Sequence, residues 1–382
     1  MKQKENSELT SFISASLRTT LGKQTVQELK GLAQWINQPL NSRWRKDEIV
    51  DCLYHFFMDD VRVWLRRLPL HEVNLLRALA ASDESCATEV YNFFSSTCLE
   101  DLCLVASEFS AKDEFKLRFV ISQELKQALQ GVDWEALLQD PAQVQKYEME
   151  RYAYGLLNLY GLLLMKDTLE TVCELMDRKL TMDEILDLFE ESLGLRNLIC
   201  IFPQPDQQKD IWLRSLYLDD AEEILFHVSQ NIQTMETAAY SQEEIAAAGT
   251  MPQMDFSRWI TPELKHWMVE KMNYTPEQMH TALLYLWFSN QYECNLSSLL
   301  ATVVNARLKN AADMKVPDRL SERNAEMDSA GKFLRGDCPT GRGGKTALCG
   351  STQSGAQRSL SVRKRQEIQT VLRQEKLNED LY

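Results

Sequence analysis

Along residues 152–191, Leu156, Leu157, Leu159, Tyr160, Leu163 and Leu164 crowd a helix almost all round, which suits an element buried inside a helical body. Two more helix starts come in the same stretch. Asp167 with Glu170 and Thr181 with Glu184 have capping-box spacing, in which one side chain takes an orphan amide and the acid three residues on reaches back. Upstream, Thr25 and Glu28 form another box, Val26, Leu29, Leu32, Ala33 and Ile36 fall at helical spacing, and Pro39 closes the segment. A second helix is predicted from about 45 to 57, with Ile49, Leu53, Phe56 and Phe57 on its apolar side and Arg43, Arg45 and Lys46 where it begins. Between 61 and 138 the pattern predicts short amphipathic helices, broken at Pro69, residues 82–85, Ser110 and Gly131.

The segment 198–218 is different, because two short β-prone runs flank a connection rich in Pro, Asp and Gln, so a β-hairpin is predicted there. Helices resume at 219–229, after the Ser241/Glu244 box, and at Thr261-Pro262 and Thr275-Pro276, where Pro occupies the first helical position. No fixed-period repeat is visible, which disfavours a regular solenoid. From Asn305 the composition shifts, and residues 331–355 are rich in Gly, Ser and Thr with almost no apolar periodicity. A short terminal helix is expected at about 362–377. The fold expected is therefore mostly α: an N-terminal helix–loop–helix module in residues 1–60, a multi-helix body in 61–305 with one small β-hairpin, and a largely disordered basic tail in 306–382.

Charge narrows the partners. The net charge is −14, from 42 basic against 56 acidic residues, so the molecule as a whole does not attract nucleic acid or anionic lipid. From Arg319 to the end there are 12 Lys+Arg against 8 Asp+Glu, a net of +4 that leaves −18 for the rest. Contact with an anion is therefore local, at the tail or at a small basic cluster. The nine cysteines are mostly scattered singly among apolar helical residues, as reduced thiols used as small hydrophobes are. With no signal-peptide pattern at the start and no apolar run of the roughly 18 residues that a span needs, a soluble cytoplasmic protein without a membrane partner is expected.

LKGLAQWI followed by RKDEIVDCL resembles the small helical module at the start of the transcription terminator Rho, and SAP modules. In those families the module is associated with nucleic acid, and the resemblance casts Arg43, Arg45 and Lys46 as phosphate contacts. The plain alternative is a solvated helix start.

The tail carries GDCPTGRGGKTALCG, which admits two readings. PTGRGGKT is near the phosphate-loop pattern with Lys345 as its lysine, but Pro339 stands where the first Gly belongs and no strand–loop–helix context surrounds it. Alternatively, Arg335, Asp337, Cys338, Pro339, Gly341, Gly343, Lys345 and Cys349 resemble the SEC-C zinc motif at the end of the translocation ATPase SecA, here degenerate over 335–350. Cys338 and Cys349 keep the spacing, while Thr340 and Gly350 occupy the second and fourth ligand positions. Structural zinc wants four ligands, so the set is incomplete and no cofactor is expected. More loosely, YGLLNLYGLL, TMDEILDLFEE, YLDDAEEIL and YSQEEIAAAG are similar to bacterial helical proteins that pair a Rho-type head with a SEC-C tail, a family that implies architecture and no activity.

Catalytic constellations are missing: His55, His71, His227, His266 and His280 are isolated, and there is neither a G-x-S-x-G elbow nor a Rossmann fingerprint. The acid pairs Asp59-Asp60, Asp219-Asp220 and Glu222-Glu223 stand at helix starts, where the helix dipole accounts for them. The function expected is that of a non-enzymatic binding or adaptor protein with a protein partner, touching nucleic acid through its head. The competing expectation is an enzyme that uses the Lys345 loop or a site dispersed over the body.

Overall fold

Helices begin where a short oxygen-bearing side chain precedes an apolar run, since that oxygen takes an amide the helix itself cannot pair. In the computed structural model, which describes residues 9–82, 87–90, 97–110, 116–203, 209–216, 240–250, 254 and 262–290, Ser16 caps α1 (Leu17–Lys23) in this way. Thr25 and Glu28 close the expected box on α2 (Val26–Trp35). In α3 (Lys46–Asp59), the Glu48 carboxylate accepts from the Arg45 amide at 2.7 Å, the half of a box that an arginine at the cap leaves available. Asp60 caps α4 (Val61–Leu65), and α5 (Leu70–Ala81) begins after Pro69.

Beyond α5 the chain departs from the expected run of short helices. Strands β1 (Ala87–Val90), β2 (Val105–Phe109) and β3 (Leu117–Ile121) form an antiparallel sheet in the order β1-β3-β2, with α6 (Thr97–Asp101) between β1 and β2. The reason is visible in β3, where Leu117, Phe119, Val120 and Ile121 are all buried. A short apolar run of this kind reads equally as a helix segment by periodicity alone, and β-branched content decides it. Helices α7 (Gln123–Gln130) and α8 (Trp134–Gln139) then lead to α9 (Pro141–Tyr160), which Asp140 caps with Pro141 at the first position.

The leucine-rich run does not stay helical to its end. Gly161, at φ 79°, closes α9, and Leu162–Leu164 become β4. Next come α10 (Met165–Leu175), α11 (Met182–Glu191) and α12 (Leu193–Arg196). Asp167 lies inside α10 instead of capping it, whereas Thr181 and Glu184 close the expected box on α11. The hairpin expected near 198–218 is present as β5 (Ile199–Pro203) and β6 (Lys209–Arg214), with Ile199 opposite Leu213. Strand β4 pairs with the other edge of β6 to make the order β4-β6-β5. Last are α13 (Gln242–Gly249), capped by the Ser241/Glu244 box, then α14 (Pro262–Glu270) and α15 (Pro276–Asn290), both with Pro at the first position.

The described residues are mostly α with two small three-stranded antiparallel sheets, and their apolar side chains gather into two cores. The first unites the head with the elements as far as α8, from Leu17 through Trp64, Leu76 and Phe119 to Leu137. The second runs from Met149 to Trp287 around α9. Here α9 and α13 touch backbone to backbone, because a Cβ on Gly155 would stand 1.9 Å from the Ile245 carbonyl oxygen and one on Gly249 would stand 1.8 Å from that of Arg151. No helix among the described residues is long and apolar enough to cross a membrane. The tail, its terminal helix, the 335–350 motif with Cys338, Lys345 and Cys349, and the 219–229 helix all lie outside the described residues.

Candidate functional sites

The three head cations sit at the end of the connection between α2 and α3. That connection is built by asparagines: Asn37 takes the left-handed turn at φ 58° that ends α2, and the Asn41 side chain accepts from the Arg43 amide at 3.0 Å. Trp44, between the two arginines, is half-buried and packs on the first core, which fixes the loop. Arg43 and Arg45 are exposed and Lys46 half-exposed, and none of the three makes an ion pair among the described residues. Neighbouring cations are differently placed. Arg18 pairs with Asp51 and lies over the Tyr54 ring, Arg62 pairs with Asp60 at 3.0 Å, and Arg66 pairs with Asp140 at 2.8 Å. The α3 start therefore holds a cluster of positive charge outside ion pairs, as single exposed Lys23 and Lys30 do elsewhere in the head, tempered by exposed Asp47 and Glu48 in the first turn.

A second polar constellation lies between the two cores. Lys146 of α9 is 2% exposed, and its ammonium donates to the Leu68 carbonyl at 2.9 Å and pairs with Glu150 at 2.7 Å. The same Glu150 oxygen accepts from the Ser192 hydroxyl at 2.6 Å, and Ser192 in turn caps α12 through the Leu195 amide. Around them, Gln143 donates to the Arg66 carbonyl, the Leu193 amide bonds to the Arg67 carbonyl, and the Arg67 guanidinium reaches the carbonyls of Ile36 and Glu191. These bonds stitch the ends of α2, α4 and α11 to the first half of α9. Helix α12 straddles the join, with Leu193 in the first core and Leu195 in the second.

Three carboxyl groups in this region are unusual, one of them Asp101 of α6, which burial raises to about 7. Burial holds Glu150 above the ordinary carboxylate range, outweighing the attraction of Lys146 and the hydrogen bonds that favour its charge. Glu72 of α5 is 1% exposed, and its Oε1 accepts from the Cys98 amide at 2.9 Å. Burial pushes this carboxyl up to about 8, against a smaller opposing effect of that amide. Neither Oε2 has a partner among the described residues. Burial likewise carries the Cys98 thiol far above its usual range, so it is no nucleophile in this setting.

Among the described residues no group of three or more His, Cys, Asp or Glu side chains could hold a metal. His55 pairs with Asp59 at the surface, His71 lies 3.9 Å from Glu72 with half its side chain exposed, His266 is exposed on α14 and His280 half-buried on α15. Asp60 serves as a helix cap, as expected of an acid at a helix start. The polar join has one legible sign in the sequence, and it is easily passed over: Lys146 and Glu150 stand four apart on a helix whose neighbours Tyr147, Met149 and Tyr152 are apolar or aromatic. No protein-family model, curated protein or solved structure matches the chain.

Proposed function

We propose that this chain is a non-enzymatic binding protein that contacts nucleic acid through Arg43, Arg45 and Lys46. The observation that carries the reading is that these cations cluster at one helix start and, unlike Arg18, Arg62 and Arg66, form no ion pair among the described residues. They also project from a helix start anchored by Trp44 and the two asparagines, so little order has to be gained on binding. The five cysteines among the described residues stand unbridged, which supports placing the protein in a reducing compartment such as the cytoplasm.

The acidic remainder keeps binding weak and local. Each phosphate neutralised adds about −0.7 to −0.9 to the slope of log affinity against log salt, so three contacts give a slope of about −2 to −3. The full chain is titrated against a labelled single-stranded oligonucleotide and a duplex, both at low salt. The expected result is saturable binding with that slope, lost when Arg43, Arg45 and Lys46 are all changed to Gln with the melting temperature unchanged. Equal binding by wild type and variant, or no binding at low salt, would sink the reading.

A further inference from the structure

The hydrogen bond from the Cys98 amide of α6 to Glu72 of α5 carries a second proposal, independent of the head; α6 otherwise packs on β2 and α12. Glu72 is sealed within the first core, beside Val73, Leu76, Leu99 and Leu102, with one oxygen on the Cys98 amide and the other without a partner among the described residues. A buried carboxylate in that position would need compensating cations or several donors. The surroundings supply only two donors, the amide and the thiol of Cys98, whose effect burial outweighs. From α6 the facing groups are the Cys98 thiol and Asp101, and from α9 the nearest charge is that of Glu150, whose own cation Lys146 is already committed to it and to Leu68. His71, next to it on α5, is 3.9 Å away and half-exposed.

The other elements packed on α5 hold their charges elsewhere. On α7, Glu124 is bonded to the Tyr54 hydroxyl and the Leu17 amide, and Lys126 to the Ser82 carbonyl. On the sheet, Glu89 faces Lys116, and Arg118 pairs with Glu108. Every charge that the described surroundings direct at Glu72 from nearby is negative, His71 apart.

We propose that this contact is a proton-operated clasp: the Glu72 carboxyl keeps its place against α6 only while protonated, and α6 comes away from α5 when the proton is given up to water. The protonated acid removes the charge from the core and still offers Oε1 to the Cys98 amide. Leaving the core restores ordinary acidity, so opening releases one proton and becomes easier as the solution becomes more alkaline. The direction is set by linkage. A group whose acidity is suppressed only in the closed form favours closure below its ordinary value near 4.5, and that preference fades until the closed form itself ionises at about 8. Opening should therefore grow more favourable by up to roughly tenfold per pH unit between about 5 and 8, then level off. The clasp is closed in mild acid and loosened at neutral and alkaline pH.

Amide hydrogen exchange, corrected for the intrinsic pH dependence of the chemistry, reads this directly on the full chain. Peptides covering α6, with the Cys98 and Leu102 amides, should lose protection steeply from pH 5.5 to about 8 and then plateau. A peptide from α10, in the second core and away from Glu72, Asp101 and Glu150, should hold its protection over the same range. Glu72→Gln keeps an oxygen for the Cys98 amide without a titrating proton, so its α6 protection should lose most of the slope, keeping only the part due to Asp101, which burial raises to about 7. The proposal is overturned if α6 in wild type shows no such fall, if α10 falls in parallel because the whole chain is opening, or if Glu72→Gln retains the full slope. Should that variant fail to fold, Asp101→Asn decides: an α6 fall that persists in it belongs to Glu72, and one that vanishes overturns the proposal.

Discussion

The two cores are closed by opposite means. In the first, loops and helix ends are tied by side chains that reach across: Trp64 donates to the Phe57 carbonyl at 2.9 Å, Glu124 joins Tyr54 to the start of α1, and Glu72 holds the α6 amide. In the second, the central crossing is made by leaving side chains out, with Gly155 and Gly249 letting α9 and α13 meet at their carbonyls. Even there side chains help lock the crossing, since Asn158 donates to the Ala248 carbonyl at 3.0 Å and Gln242 to the Tyr152 hydroxyl at 2.9 Å. A core held by reaching side chains tolerates added atoms where space is open, but not the loss of a partner. A core held by absent side chains fails in the reverse way.

The join between them belongs to the first type, and breaking it should cost most. Lys146→Ala leaves the Glu150 carboxyl buried without its cation and the Leu68 carbonyl without its donor, at an expected loss of about 3–5 kcal/mol in urea unfolding. Replacing both partners, as Lys146→Met with Glu150→Leu, should recover most of that loss, because packed apolar atoms of similar volume leave no charge to solvate. If the single variant is as stable as wild type, the pair is not what holds the join.

The glycines give the next largest effect and the sharpest contrast. Gly155→Ala sets a Cβ against a main-chain oxygen that cannot rotate away, so α9 and α13 must part, at a cost of about 1–3 kcal/mol or more. Gly22→Ala, in α1 of the first core, meets nothing within 4 Å and should instead gain about 0.5–1 kcal/mol from helix propensity. Equal signs for the two changes in chemical denaturation would erase the distinction between the cores.

Legibility in the sequence tracks locality. Capping boxes at Thr25, Thr181 and Ser241, prolines opening α14 and α15, and the turn-flanked hairpin of β5 and β6 depend on residues a few positions apart, and all are legible. The sheet of β1, β2 and β3 is not, because its strands pair across connections and its middle strand is buried at every position but Arg118, which blurs the alternation that marks a strand. Leu162–Leu164 pass for helix in the sequence for a related reason: three leucines suit either state, and only the left-handed Gly161 and the pairing with Trp212–Arg214 select the strand. Of the candidate sites, the cations at the α3 start lie together in sequence and stand out there. The Glu72 and Lys146 constellations draw on partners 26 and 78 residues away, and beyond the Lys146–Glu150 spacing no local pattern reveals them.

The smallest expected effect tests whether the cores behave as one unit. Thr25 and Thr181 are both exposed, both close a full capping box, and belong to helices of different cores, α2 in the first and α11 in the second. Alanine at either position removes one cap and should cost about 1 kcal/mol, since the lost bond is local and owes little to the core beneath. With the join intact, the two cores should unfold in one cooperative step, so both changes lower the same transition by the same amount. In the Lys146→Ala background the coupling is weakened, and the effects should separate: Thr25→Ala shifts the exchange of peptides in α2 and α3, and Thr181→Ala that of peptides in α10 and α11. Two separate transitions already present in wild type would show that the polar join aligns the cores without coupling them.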